Sequence, residues 1–375
     1  MLKKYNSILI VTVVAAIILS ACGASANATP STPASTGTQQ SGSVQINGAG
    51  ATFPLPVYTE WIYAYQYVDP SVTLNYQGVG SGGGKKAIVD NTVDFAGSDS
   101  LLSDEEYASG KDLQMYPMLA GAVVPIYNVE GITQTLTLNG EVLADIYSAK
   151  IMKWNDPAIR ASNPGVNLPE APITAVHRSD GSGTTEIFTK ALASFSADWK
   201  SSVGAGTSVE WPVDKAGNGI GGKGNQGVAA AVQNTPDSIG YVELSYAIAN
   251  KITYADMVNK AGNKVTSNAD SLASAMNDFA NTFTDKLTNT IVDGPGASSW
   301  PIAGYTYIIL HTASMTDCVK AQKLLGFLRW ALTDPGAAGR AADLGYSVLP
   351  ESVQSQVLVK LTAVTCNGAP VLSNP

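Results

Sequence analysis

An α/β architecture with mostly parallel or mixed sheets is predicted by three features of the chain. Apolar or alternating runs of strand length recur along it, segments with helical periodicity lie between them, and no internal repeat of fixed period is present. The chain is also rich in loop formers, with 36 Gly and 19 Pro in 375 residues, which excludes a helical rod.

At the N-terminus, Lys3 and Lys4 precede the apolar run Ile8–Leu19, which only Thr12 interrupts, so residues 1–21 read as a secretory signal peptide. The run falls short of the ~18 residues that a permanent membrane span needs. Leu19-Ser20-Ala21-Cys22 is similar to a bacterial lipobox, in which a diacylglyceryl group is attached to the cysteine and the chain is cut just before it. Cys22 is therefore expected to be a lipidated mature N-terminus. Residues 22–43 form its flexible tether, because from Gly23 to Ser43 there is no charge, no aromatic ring and no large aliphatic side chain to offset the entropy of ordering.

The folded part is expected to begin at Val44. The run 72–79, VTLNYQGV, alternates like a half-buried strand, while 122–129 (AVVPIYNV), Ile173–Arg178 and Tyr305–His311 are apolar enough for buried strands. Ser103-Asp104-Glu105-Glu106 fits a capping box opening a short helix. A helix beginning near Thr184 presents Ile187, Phe188, Ala191, Leu192 and Phe195 on one face. A longer helix capped by Thr316 turns Ala321, Leu324, Leu325, Leu328 and Leu332 to the core, and Asp334-Pro335-Gly336 stops it. Cys318 and Cys366, 48 residues apart in an exported chain, either form a disulfide worth ~4 kcal/mol on the loop-entropy model or stay as two buried thiols.

Charge narrows the function. The 22 Lys+Arg against 30 Asp+Glu give a net charge of −8, and Lys3 and Lys4 are the only charges before Ser43, so the rest of the chain is more acidic still. A general nucleic-acid or anionic-membrane binder is excluded on that balance. Three segments pair glycines and small hydroxyl residues with a helix start: Gly48–Pro54, Gly80–Gly84 and Asp180–Thr185. Each offers unpaired backbone N–H groups, a hydroxyl and the positive end of a helix dipole, the equipment for holding an anion. Arg178 precedes the third. It shares strand parity with Asp180, so both side chains reach one cleft, where the guanidinium can grip a tetrahedral oxyanion, while His177 points to the opposite face. Lys85 and Lys86 read as a solvated helix face.

At this point GAGATFPLPVY, YQGVGSGGGKKAI, VDFAGSDSLLSDEE, DIYSAKIMKWNDPAI, HRSDGSGTT, GGKGNQGV and IGYVE together give a resemblance that runs from about Val44 to at least Tyr346. The chain resembles the phosphate-binding PstS proteins of bacterial ABC phosphate importers. The resemblance implies a two-lobe periplasmic-binding-protein fold with mixed sheets, its α/β lobes joined by crossing hinge strands and closing on one dehydrated phosphate. By the same resemblance lobe I comprises residues 44–118 with 301–375 and lobe II residues 119–300. Carried over by motif, Thr52 and Phe53 hold phosphate through backbone N–H groups and the Thr hydroxyl, Ser81 adds a hydroxyl, and Asp99, Arg178, Ser182, Gly183 and Thr184 complete the set. Asp180 resembles the partner that orients the arginine. Asp99 accepts the proton that phosphate keeps near neutral pH and sulfate lacks, so sulfate would leave two buried acceptors unpaired.

The implied activity is capture of inorganic phosphate outside the cytoplasm by a monomeric, membrane-anchored receptor that hands it to a permease and ATPase, with no cofactor, metal or nucleic acid. A phosphate-sensing receptor would show the same site. A secreted phosphatase is disfavoured: only His177 and His311 are present, there is no paired metal-ligand spacing, and Val79 and Asp180 stand where a G-x-S-x-G elbow needs its first glycine. Two departures from the family pattern stand out. The stretch VDKAGNGI after Trp211-Pro212 is longer than expected, and His177 stands where a second basic residue is common.

Overall fold

The computed structural model describes residues 43–372. The expected signal peptide, the expected lipidation site Cys22 and the expected tether up to residue 42 lie outside the described residues. Strands in chain order are β1 (Val44–Gly50), β2 (Val72–Gly78), β3 (Phe95–Ser98), β4 (Leu113–Asn128), β5 (Thr137–Asn139), β6 (Thr174–Arg178) and β7 (Gly219–Gly222). They continue as β8 (Ser238–Glu243), β9 (Asp256–Val258), β10 (Lys264–Val265), β11 (Ala303–His311), β12 (Ser347–Val348), β13 (Thr365–Cys366) and β14 (Ala369–Pro370). Helices lie between them, as the sequence predicts.

One mixed sheet dominates, in the order β2-β1-β3-β11-β4-β8-β6-β7, with β12 also pairing β4. β1 runs parallel to β2 and β3, and β6 runs parallel to β7 and β8. The two parallel groups meet through β4. Its first part, up to Ala122, is antiparallel to β11, and from Val123 onward it is antiparallel to β8. This strand starts nine residues before the expected run 122–129 and ends one residue short of it; Pro117 and Gly121 in LQMYPMLAG lie in the part that the sequence reading omits. The register slips between Thr306 and Tyr307 opposite Leu119 and Pro117, and this bulge lets the sheet pass a proline that has no N–H to give.

The helices mostly follow their signals. Ser103 Oγ accepts the Glu106 N–H at 3.2 Å while the Ser103 N–H donates to Glu106 Oε2 at 2.8 Å, a complete capping box. The helix expected near Thr184 spans Gly183–Phe195 and buries Ile187, Phe188, Ala191 and Leu192. The helix expected after Thr316 starts two residues later, at Cys318, and Asp317 caps it instead, accepting the Lys320 N–H at 3.0 Å. Asp334 ends that helix and caps the next one, Pro335–Asp343. Cys318 and Cys366 are joined in a disulfide, S–S 1.99 Å, tying the start of Cys318–Thr333 to the C-terminal β13–β14 pair.

Lys85 corrects an expectation. It is buried, with Nζ 3.1 Å from the Leu101 carbonyl and 3.0 Å from Glu106, whereas Lys86 is exposed and pairs with Asp90 at 2.6 Å. Helix Ser81–Val89 lies against Asp104–Gly110, so one lysine of the pair is covered and the other faces water. Among the described residues no helix is long and apolar enough to cross a membrane.

Candidate functional site

Three loop-to-helix junctions, after β1, β2 and β6, converge beside Asp99 at the end of β3. The turn after β1 carries Thr52 and Phe53, helix Ser81–Val89 begins with Ser81, and helix Gly183–Phe195 begins after Ser182. Thr52, Ser81, Asp99, Arg178, Ser182 and Thr184 are all buried. The helix starting at Gly183 meets the one starting at Ser81 almost in contact: the Gly183 N–H donates to Ser81 Oγ at 3.1 Å and the Gly82 N–H to the Gly181 carbonyl at 3.1 Å. A Cβ at Gly183 would sit 2.6 Å from Asp99 Cβ and from Ser81 Oγ, so only glycine permits this approach. The N–H groups of Thr52 and Phe53 have no acceptor among the described residues. Buried donors of this kind are costly unless a ligand takes them.

Arg178 and Asp180 come together as expected, but not by strand parity: β6 ends at Arg178, and Asp180 reaches the guanidinium from the turn that follows. The guanidinium donates through Nε and Nη2 to the two carboxylate oxygens of Asp180 at 2.7 and 2.6 Å, and through Nη1 to Thr184 Oγ1 at 3.3 Å. An arginine carries five N–H groups, so one on Nη1 and one on Nη2 stay free among the described residues. Burial pushes the Asp180 carboxyl up, but Arg178 outweighs it and holds the group below its ordinary value. His177, one residue earlier, points away; it stacks on Trp211 and its Nε2 lies 2.8 Å from Asp214 Oδ1. Asp214 belongs to the long VDKAGNGI stretch, which forms the short helix Pro212–Ala216 closed by left-handed Gly217 and leads directly into β7.

Asp99 is the acceptor among these donors. Thr306 on β11 donates to Oδ1 at 2.8 Å, and Ser81 Oγ stands 3.4 Å from Oδ2. Burial pushes this carboxyl up to about 7, against the opposing hydrogen bond from Thr306 and the charge of Arg178. Ser182 caps its helix by accepting the Thr185 N–H at 3.0 Å.

The structure adds residues that no role was assigned to in the sequence. Asn225, fully buried, bonds both Thr52 and Thr184, Tyr246 donates to the carbonyl of Thr52 at 2.5 Å, and Tyr346 Oη lies 2.7 Å from the carbonyl oxygen of Phe53. Glu243, at the end of β8, takes the one Tyr346 hydrogen at 2.8 Å and accepts from the N–H and hydroxyl of Ser245, while its Oε1 has no partner among the described residues. Asn225 and Glu243 lie inside GGKGNQGV and IGYVE, but only the packing of distant segments reveals what they touch.

Burial pushes the Glu243 carboxyl up to about 8, more than its hydrogen bonds from Ser245 and Tyr346 lower it. A carboxyl raised in the folded state holds its proton where the unfolded chain has lost it, so its contribution to stability is complete below the unfolded value and is lost as pH rises toward about 8. Glu243→Gln is expected to match the parent at pH ~5 and to exceed it at pH ~9 by a few kcal/mol, read by urea unfolding of ligand-stripped protein. Equal stabilities at both pH values would refute the assignment.

The comparisons with known proteins fit this geometry. The family model of the PBP superfamily domain matches residues 32–335. The phosphate-binding protein PstS of Xylella fastidiosa is 41% identical over 338 residues, covering 89% of this chain and 89% of that protein. The chain belongs to the PstS family of the PBP superfamily. PstS of Pasteurella multocida is 42% identical, covering 83% of this chain and 88% of its own length. Among solved structures, a human phosphate-binding apolipoprotein shares the fold with a TM-score of 0.69 at 22% identity, covering 87% of this chain and 99% of that one. The two-lobe fold of the periplasmic binding proteins is thus the fold of this PstS family member.

Proposed function

We propose that the chain is an extracytoplasmic binding protein that captures inorganic phosphate and delivers it to an ABC importer, held at the membrane by a lipid on Cys22. The observation that carries this reading is the composition of the buried site. The buried site holds the free N–H groups of Thr52, Phe53 and Arg178 and the hydroxyls of Thr52, Ser81 and Thr184, together with one carboxylate, Asp99, that Ser81 and Thr306 contact. Many donors and one acceptor suit a tetrahedral anion that keeps one proton. Ser182 and Gly183 supply the helix N-terminus, and Asp180 holds the arginine in place. The names of the PstS relatives support the same ligand.

Residues 44–118 with 301–375 are proposed as one lobe and 119–300 as the other, a division supported by the change of partner along β4 from β11 to β8 at Ala122/Val123. A ligand that touches both lobes shifts the population toward the closed arrangement. Isothermal titration of protein unfolded, stripped of carried-over ligand and refolded tests the reading. One-to-one binding of phosphate with little response to sulfate supports it, and a folded protein that ignores phosphate overturns it. Mass spectrometry of the chain from membranes tests the anchor, through a diacylglyceryl adduct on Cys22.

A further inference from the structure

The hydrogen bonds of Asn225 fix where its own hydrogens and those of its partners point. Its Oδ1 lies 2.9 Å from the Glu243 backbone N, which can only donate, so Oδ1 is the oxygen and Nδ2 the donor. Nδ2 has two hydrogens, and it stands 2.9 Å from Thr52 Oγ1 and 3.1 Å from Thr184 Oγ1. The Asn225 backbone N–H adds a second bond to Thr52 Oγ1 at 3.1 Å, and Arg178 Nη1 adds a second to Thr184 Oγ1 at 3.3 Å. A hydroxyl has two acceptor positions and one hydrogen. On both threonines the acceptor positions are filled, and the hydrogen is left to point elsewhere. Ser81 Oγ is filled in the same way, by the N–H groups of Gly183 at 3.1 Å and Asp99 at 3.2 Å, but its hydrogen is directed to Asp99 Oδ2 at 3.4 Å.

We infer that Asn225 is a positioning residue that determines specificity: by helping to fill the lone pairs of Thr52 and Thr184 it makes both hydroxyls obligate donors, so that between these threonines and Asp99 only the carboxylate accepts a ligand hydroxyl. The inference rests on the phosphate reading above. Its consequence is discrimination between protonation states of one ligand. Monohydrogen phosphate offers one O–H, which Asp99 takes. Dihydrogen phosphate offers a second, which meets only donors, and a donor facing a donor is left unpaired. Without Asn225 the threonine hydroxyls are free to rotate and accept that second O–H.

The groups facing this network from the surrounding elements are Asp99, Arg178, Asp180 and Glu243, with Tyr246 and Tyr346 beside the Thr52–Phe53 turn and Glu186 in the helix behind Thr184. Their own titrations are common to parent and variant and cancel when the two are compared at each pH. The test is phosphate titration of ligand-stripped parent, Asn225→Ala and Asn225→Ser at about pH 8 and about pH 6, where dianion and monoanion respectively predominate. Both variants are neutral, and the serine keeps a polar group in place should the alanine fail to fold. Loss of affinity by about tenfold at the higher pH and by about threefold or less at the lower is expected, the size of one charge-assisted hydrogen bond. The same fold-loss at both pH values would mean that Asn225 only props the fold and would overturn the inference. A parent that binds no phosphate at either pH would overturn the functional reading first.

Discussion

Arg178→Ala is expected to lower phosphate affinity by about three orders of magnitude, because it removes a buried charge together with two aligned donors. Asp180 holds the guanidinium by both oxygens and Thr184 by one, so its plane and the direction of its free N–H groups are set before the ligand arrives. Little ordering entropy is then lost on binding. The alanine variant also leaves Asp180 without its cation, so a carboxylate beside an incoming anion is newly uncompensated. Arg178→Lys separates the two effects: it keeps the charge but cannot span Asp180 and the ligand with a planar fork, and a loss of about two orders of magnitude is expected. Isothermal titration after ligand stripping reads both. A lysine variant as tight as the parent would show that charge alone matters and that the Asp180 fork is incidental.

Local chemistry made much of this site legible before any coordinates. Gly183 and Ser182 read as a helix start and are one, while Arg178 and Asp180 do meet, but through the turn after β6 and not through the strand parity that the sequence suggests. Long-range packing was not legible. Asn225 meets Thr52 across 173 residues of chain, and Thr306 reaches Asp99 across 207, contacts that no local spacing encodes. The same blindness explains Lys85, which a helix-face argument leaves in water until helix Asp104–Gly110 covers it, and β4, whose first nine residues pair with β11 ahead of the run expected at 122–129. Signals that are set by three or four consecutive residues survive translation into structure; those set by which segments meet do not.

Asp99→Asn is expected to erase most of the discrimination between phosphate and sulfate. In the parent, Thr306 occupies Oδ1, which leaves Oδ2 to face the site as an acceptor beside Ser81. Phosphate brings an O–H to that oxygen. Sulfate brings a bare oxygen, so two acceptors are pressed together without a proton and both lose their hydration. An asparagine whose oxygen takes the Thr306 bond turns its NH₂ to the site, and the sign of the interaction reverses: sulfate oxygen now meets a donor, and the phosphate hydroxyl loses its acceptor. Phosphate is expected to weaken by about tenfold and sulfate to strengthen by about tenfold, so that the selectivity ratio falls by about a hundredfold. The raised Asp99 carboxyl adds a pH signature. At pH values well below about 7 the ligand-free parent already carries a neutral, protonated group there, and its rejection of sulfate relaxes as pH falls, whereas the asparagine variant shows no such trend. Competition titrations of phosphate against sulfate at two pH values decide it: unchanged discrimination in Asp99→Asn would move the selectivity away from this carboxylate and onto the geometry of the donors around it.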